Sequence, residues 1–326
     1  MNSNNMNKKM SFKELVREYW LKTSQGSIPY GIGCAWLGRV DNYMEMMDEY
    51  VHTLKRAYNL GFRYFDTSAA YGESELTVGE FVKEVPRDSV FLASKSRVPF
   101  EEDPVKAADF VKKGLERSLK RMNTSYLDLF QLHDVDTLSH VLVKNGVIDV
   151  LLEAKKQGLI RYFGLATRSH NLLEQAARHG AFDTILTYSD YTPIDQSAKW
   201  VIDCATDLGV GVINASPLSA GWLTGKNPRE RDAENHPESI WRKKIATVFY
   251  DFCTKKGVSV LAAALQFPLK NGNIDITLTG PATADEVNSS WNALNTPIPD
   301  EFWMEWNEVM DYVRTEGRVC GDDNTL

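Results

Sequence analysis

Asp66, Tyr71, Lys95 and His133 bring an acid, a phenol, an amine and an imidazole to the ends of three apolar runs. Asp66 closes the run 62–66, and Tyr71 follows five positions later. Lys95 closes 90–95 and His133 closes 127–133. A free tyrosine ionises at about pH 10, too high for efficient proton exchange at neutrality. An ammonium beside it favours the phenolate. A carboxylate can hold that ammonium charged and aimed, while an imidazole can hydrogen-bond and orient a substrate oxygen. Together the four could move a proton between Tyr71 and a carbonyl or hydroxyl oxygen. Each residue alone also reads as a cap, a loop residue, a solvated strand end or a satisfied polar group. Their recurrence at three successive strand ends favours the joint reading.

Such a cluster needs a scaffold that delivers strand ends to one place. Apolar runs at 28–35, 62–66, 90–95, 127–133, 162–166, 184–187, 211–215 and 275–279 read as strands. They are apolar on both faces, as parallel strands covered by helices are. Helical patterns fill the intervals at 43–60, 75–83, 104–122, 148–156, 171–178, 195–208, 240–256 with 260–269, and 284–294. Eight such units without a break in composition predict a single (β/α)8 TIM barrel, whose mouth lies at the carboxyl ends of its strands. A doubly wound open sheet is the rival. Its dinucleotide fingerprint is incomplete here, because Gly31-Ile32-Gly33-Cys34-Ala35-Trp36 lacks the third glycine.

The barrel domain is expected to span 11–326, preceded by a disordered segment 1–10. Ser11 and Glu14 form a capping box, and Phe12, Leu15, Val16 and Tyr19 make an apolar stripe at helical spacing. The polar stretch 221–237, rich in Gly, Pro and charge, reads as a mobile lid loop. Phe302, Trp303 and Trp306 mark a helical tail that ends in a polar stretch, 320–326.

The chain has 326 residues, 43% hydrophobic and 25% charged, with a net charge of −7. That balance suits a large buried core and argues against a nucleic-acid surface, which would need a basic face. No run approaches the ~18 apolar residues of a membrane span. Cys34, Cys204, Cys253 and Cys320 are far apart, and the histidines lack metal-ligand spacing. Reduced thiols, no metal and a cytoplasmic location are expected.

The wording around the cluster resembles the aldo-keto reductase family. The run 61–68 (GFRYFDTS), Tyr71-Gly72-Glu73-Ser74-Glu75 and Gly79 carry the likeness. It continues through Lys95, Gln131-Leu132-His133, 158–164 (GLIRYFG) and Ser216-Pro217-Leu218, and spans about 28–295. The resemblance implies a (β/α)8 barrel, a nicotinamide cofactor, and Asp66, Tyr71, Lys95 and His133 as the catalytic set. It also implies a dinucleotide stretched across the mouth. On this likeness Gly33, Cys34, Ala35, Asp66, Thr167, Ser216, Leu218, Gly221, Gly280, Thr283 and Glu286 are its expected contacts.

Members preferring NADP generally carry a basic residue in the last of these segments, where this chain has Asp285 and Glu286. A carboxylate there repels a 2′-phosphate and tolerates a ribose hydroxyl, so NAD is expected. NADP stays open through Lys226, Arg229 or Arg231 of the lid. Ala166-Thr167 replaces the family's usual Ser-Asn pair, and Ala215 replaces the aromatic that often stacks on nicotinamide. These departures, with Ala-Ser-Pro-Leu and His133-Asp134, resemble the family's sugar dehydrogenases, which oxidise L-galactose, L-fucose or D-arabinose. The expected substrate is a small sugar or aldehyde. Trp36 and Trp222 would be its platforms, with Tyr71, His133 and Asp134 or Tyr191 as polar contacts. A nucleotide-binding regulatory subunit with slow turnover is the alternative, and a barrel enzyme forming a Schiff base on Lys95 is a weaker one. Oligomeric state is left open, a homodimer being one candidate.

Overall fold

Ser11 starts the folded chain with a reciprocal cap. Its hydroxyl accepts the Glu14 amide at 3.3 Å, and the Glu14 carboxylate accepts the Ser11 amide at 2.8 Å. The structure is a computed structural model that describes residues 10–23, 26–99, 103–233 and 236–319. Residues 1–9 of the segment expected to be disordered lie outside these, as do 234–235 of the expected lid and the polar stretch 320–326.

Helix α1 (Phe12–Val16) leads through a 3-10 turn, Arg17–Tyr19, into an antiparallel hairpin of β1 (Leu21–Thr23) and β2 (Gly26–Ile28). The hairpin is not among the strands expected from sequence. The barrel follows: β3 (Tyr30–Gly33), β4 (Tyr64–Asp66), β5 (Phe91–Arg97), β6 (Leu127–His133), β7 (Ile160–Ala166), β8 (Thr184–Tyr188), β9 (Gly211–Ala215) and β10 (Ile276–Thr279). Neighbouring strands are parallel, and β10 pairs with β3 to close the ring. The helices are α2 (Tyr43–Asn59), α3 (Ser74–Val82), α4 (Pro104–Arg121), α5 (Val147–Lys156), α6 (His170–His179), α7 (Lys199–Asp207), α8 (Pro237–Lys256), α9 (Val260–Gln266), α10 (Ala284–Asn295) and α11 (Asp300–Val319). The expected (β/α)8 barrel is present.

Some boundaries differ from the sequence pattern for identifiable reasons. β5 continues two residues past Lys95 because it stays paired with β6 as far as Arg97 opposite His133. α7 starts at Lys199, not 195, because Thr192 and Asp195 exchange backbone hydrogen bonds in a tight turn. α9 stops at Gln266, where Pro268 removes an amide and the chain tightens into a 3-10 turn.

The core has two parts. One lies between strands and helices; the other fills the barrel's interior and includes Tyr64, Phe91, Leu129 and Tyr162. α1 plugs the lower end of the interior. Phe12 meets Phe91 and Tyr162 edge-on at 5.9 and 5.7 Å. Gly211 admits this ring, since a Cβ there would stand 2.3 Å from Phe12 Cδ1. Asp128, fully buried near the start of β6, accepts Arg87 Nη2 at 2.8 Å and the Leu92 amide at 2.9 Å. Arg161 Nη1 lies 3.1 Å from its other oxygen. In the tail, Trp306 is fully buried and donates to the Pro193 carbonyl at 3.0 Å. Among the described residues, no helix is long and apolar enough to cross a membrane. Cys34, Cys204 and Cys253 are unbridged thiols.

Candidate active site

The upper end is assembled by the strand pairing. Lys95 lies beside Gln131 in the β5–β6 ladder, and β4 ends with Asp66 next to them. Lys95 donates to Asp66 Oδ1 and, at 2.7 Å, to the Thr67 carbonyl. Gln131 Nε2 donates to the other Asp66 oxygen at 3.2 Å. Lys95 and Asp66 are only 1% and 4% exposed. Burial opposes charge on both and pushes the Asp66 carboxyl up. For Lys95, burial is the largest influence, but the charge and hydrogen bond of Asp66 together with Tyr71 outweigh it and hold the ammonium above its usual range. Buried and spent on Asp66 and the Thr67 carbonyl, the Lys95 amine offers no free lone pair to a carbonyl, which disfavours the Schiff-base reading.

Tyr71 rises over this pair. Its ring centroid is 5.0 Å from Lys95 Nζ, and its edge meets His133 at 5.6 Å with planes 89° apart. Its loop is fastened to the loop after β3. Glu73 donates its amide to the Gly38 carbonyl at 3.0 Å, Ser74 Oγ donates to Cys34 O at 2.7 Å, and Thr77 Oγ1 donates to Leu37 O at 2.7 Å. The two chains touch so closely that a Cβ on Gly38 would stand 2.2 Å from Ser74 N, and one on Gly72 would stand 2.3 Å from Gly38 O.

His133 is nearly buried. Desolvation, with the charges of Lys95, Arg97 and Arg39, lowers its pKa to about 3. It is therefore a neutral imidazole at physiological pH. Ser68 Oγ lies 2.9 Å from its Nδ1, and the Asp134 carboxylate lies 3.5 Å from Nε2. An imidazole anchored on Nδ1 presents Nε2 to a substrate oxygen. Sequence reasoning quoted Ser68 and Gln131 without giving them this work. Their signal is the short strand-end spacing that sets them beside His133 and Asp66.

The other expected residues are distributed around the mouth. Gly33 ends β3, Cys34 is buried with its amide bonded to Asp66 O, and Ala35 is half-buried. Burial pushes the Cys34 thiol up, so it stays protonated. Thr167 is buried just past β7. Beyond β9, Ser216, Ser219, Ala220 and Gly221 all take positive φ, with half-buried Leu218 between them. Past β10, Gly280 is exposed, Thr283 caps α10 by accepting the Glu286 amide at 3.2 Å, and Glu286 accepts the Ala282 amide at 2.7 Å. Small residues and a capped helix start on adjacent strand ends fit the phosphates and ribose of an extended dinucleotide.

The two tryptophans differ. Trp36 is 57% exposed and lies against Gly280, where a Cβ would meet its ring at 3.7 Å. Trp222 is 4% exposed and has the Arg231 guanidinium 4.1 Å from its ring, so it presents no open platform. Tyr191 is also buried, packed on Phe267 at 5.4 Å. Tyr188, at the end of β8 and not singled out in the sequence, donates to Asp134 at 3.1 Å. Of the lid residues described, Arg229 is forked onto Asp251 at 2.9 and 2.6 Å, and Arg231 donates to Ala220 O at 3.0 Å.

The comparisons with known proteins agree with this geometry. The chain is 30% identical to an L-galactose dehydrogenase of Arabidopsis thaliana, covering 80% of this chain and 82% of that one. It is 24% identical to a D-threo-aldose 1-dehydrogenase from a Pseudomonas species, covering 86% of this chain and 93% of the relative. The fold matches a holo-form aldo-keto reductase from Bacillus halodurans with a TM-score of 0.70, over 89% of this chain and 94% of that one, at 23% identity. A family profile described as the aldo/keto reductase family matches residues 29–311. The protein is an oxidoreductase acting on carbonyl or CH–OH groups, and it belongs to the aldo/keto reductase family.

Proposed function

We propose that this protein oxidises an aldose at its anomeric carbon to the lactone, with NAD as the acceptor. A bound nicotinamide supplies the hydride acceptor; the chain's own residues supply binding and the proton path. His133 Nε2 and Tyr71 Oη hold the anomeric oxygen, Tyr71 takes its proton, and Lys95, pinned by Asp66, faces the Tyr71 ring with its charge. The observation that carries the sugar reading is the pairing at the mouth of an open indole, Trp36, with a carboxylate beside His133, Asp134, that Tyr188 orients. An indole face suits the apolar side of a pyranose, and a carboxylate accepts its hydroxyls. The names of the two dehydrogenase relatives support the same substrate class.

NAD is supported over NADP by the carboxylates of Asp285 and Glu286 in the first turn of α10. Arg229 is committed to Asp251 and Arg231 to the Ala220 carbonyl, which leaves Lys226 as the remaining lid cation from the sequence reading. A screen of purified protein with NAD⁺ and NADP⁺ against aldoses and simple alcohols, followed by nicotinamide absorbance, tests the reading. Lactone formation from an aldose, faster with NAD⁺, is the expected result. Turnover confined to simple alcohols, or tight cofactor binding without any turnover, would overturn it.

A further inference from the structure

Two exposed arginines stand at the mouth with no carboxylate partner among the described residues, whereas Arg56, Arg63 and Arg231, also without one, spend their donors on amide or carbonyl oxygens. Arg87, Arg121, Arg161, Arg168, Arg229 and Arg242 each meet a carboxylate. Among the described residues, Arg39 and Arg97 meet none. Arg39 is exposed and held by aromatic faces, its Cζ 4.5 Å from the Tyr71 ring centroid and 5.9 Å from that of Trp36. This leaves the guanidinium's in-plane donors unspent beside the catalytic phenol.

Arg97 is the last residue of β5, two beyond Lys95, so the pleat puts both on one face of the strand. It is exposed, and its ladder partner is His133. Arg97 therefore continues outward the row that carries Lys95. Both arginines act electrostatically on His133. Asp134, the carboxylate nearest His133, is turned toward β8 through Tyr188. Positive charge thus comes from the β3 loop and β5, and negative charge from the loop after β6.

We propose that Arg39 and Arg97 receive an anionic group, a carboxylate or phosphate ester, on the substrate oxidised at Tyr71. An acidic sugar fits this division of charge, its hydroxyls toward Asp134 and its anion toward the two guanidinium groups. The proposal rests on the oxidoreductase reading of the same mouth and adds the substrate's charge.

The test compares kcat/KM for a hexose, its hexuronate and its 6-phosphate, in both D and L series. Wild type is set beside Arg39→Gln, Arg97→Gln and Arg39→Lys. The expected wild-type preference for one anionic sugar over the neutral one is about ten-fold or more, the scale of a charge-assisted hydrogen bond. Each glutamine variant should cut that preference about ten-fold, mainly through KM, and Arg39→Lys should restore part of it. The favoured sugar, uronate or phosphate, identifies the anion. A preference at or below unity, or one that both glutamine variants leave intact, overturns the proposal. If no sugar is oxidised, the aldose reading fails separately. Calorimetry of hexuronate and inorganic phosphate with NADH-saturated protein then decides the anion site. Binding lost in the double glutamine variant sustains it, and no binding to wild type overturns it.

Discussion

The barrel carries a buried ion pair at each end. Asp128 at the lower end and Asp66 at the upper end are both carboxylates on strands, both desolvated and both met by cations from neighbouring strands or loops. At the lower end the cluster is roofed by Arg87 and Arg161, with the aromatic plug of α1 beside it. At the upper end the pair is left beneath a half-buried tyrosine facing the mouth. The electrostatic device is the same, and what covers it differs. A buried carboxylate whose cations leave no reactive group beside it can only hold strands together. One that leaves a reactive group uncovered can direct chemistry, and burying charge is by itself weak evidence for either role.

The comparison breaks if the ends exchange roles under substitution. Tyr71→Phe should lower kcat by about 10² to 10⁴, the scale of a positioned acid–base group, with the melting temperature nearly unchanged. Steady-state rates beside thermal denaturation check this, and undiminished turnover would remove Tyr71 from the mechanism. Asp128→Asn should do the reverse. It should cost about 2–4 kcal/mol of stability in urea unfolding, below the cost of breaking a fully buried pair because Arg161 is partly in water, while the folded protein keeps its kcat. A large loss of kcat in the folded variant would show that the lower end also serves catalysis.

A further test sharpens the contrast through pH. His133 is neutral in the folded protein down to about 3, whereas an unfolded histidine protonates near its usual value of about 6.5. The unfolded chain therefore binds the extra proton first. The stability that His133 permits is full above about pH 6.5 and falls as pH drops toward 3, by at most about 1.4 kcal/mol per unit. NMR should find its ring signals flat from pH 8 to 5. An inflection near 6.5 would show that the mouth is wetter than its geometry indicates.

The upper end was largely legible in sequence because its parts sit at strand ends, where apolar runs stop abruptly. β6 and β9 match the expected runs 127–133 and 211–215 to the residue. The hairpin of β1 and β2 was not legible. Its strands are three residues each and largely unburied, so no alternating apolar pattern marks them. Nor could sequence separate the two tryptophans, because Trp36 stays open and Trp222 is roofed by Arg231 from nine positions along the chain. The anchoring of His133 by Ser68, and of Arg39 by Tyr71, arises where separate loops meet in space.

The contact between Gly38 and Gly72 has an evolutionary reading. Neither position admits a side chain without moving the other loop, so the segment bearing Trp36 and Arg39 cannot be lengthened or reshaped independently of the segment bearing Tyr71. Selection on substrate choice through the first loop would disturb the proton-transfer geometry at once. The connection after β9 is held differently, by the buried Trp222 and Leu223 and by Arg242 on Ser219, while a Cβ on its Gly225 would meet nothing within 4 Å. A single glycine contact thus couples the segment that meets the substrate to the segment that moves the proton.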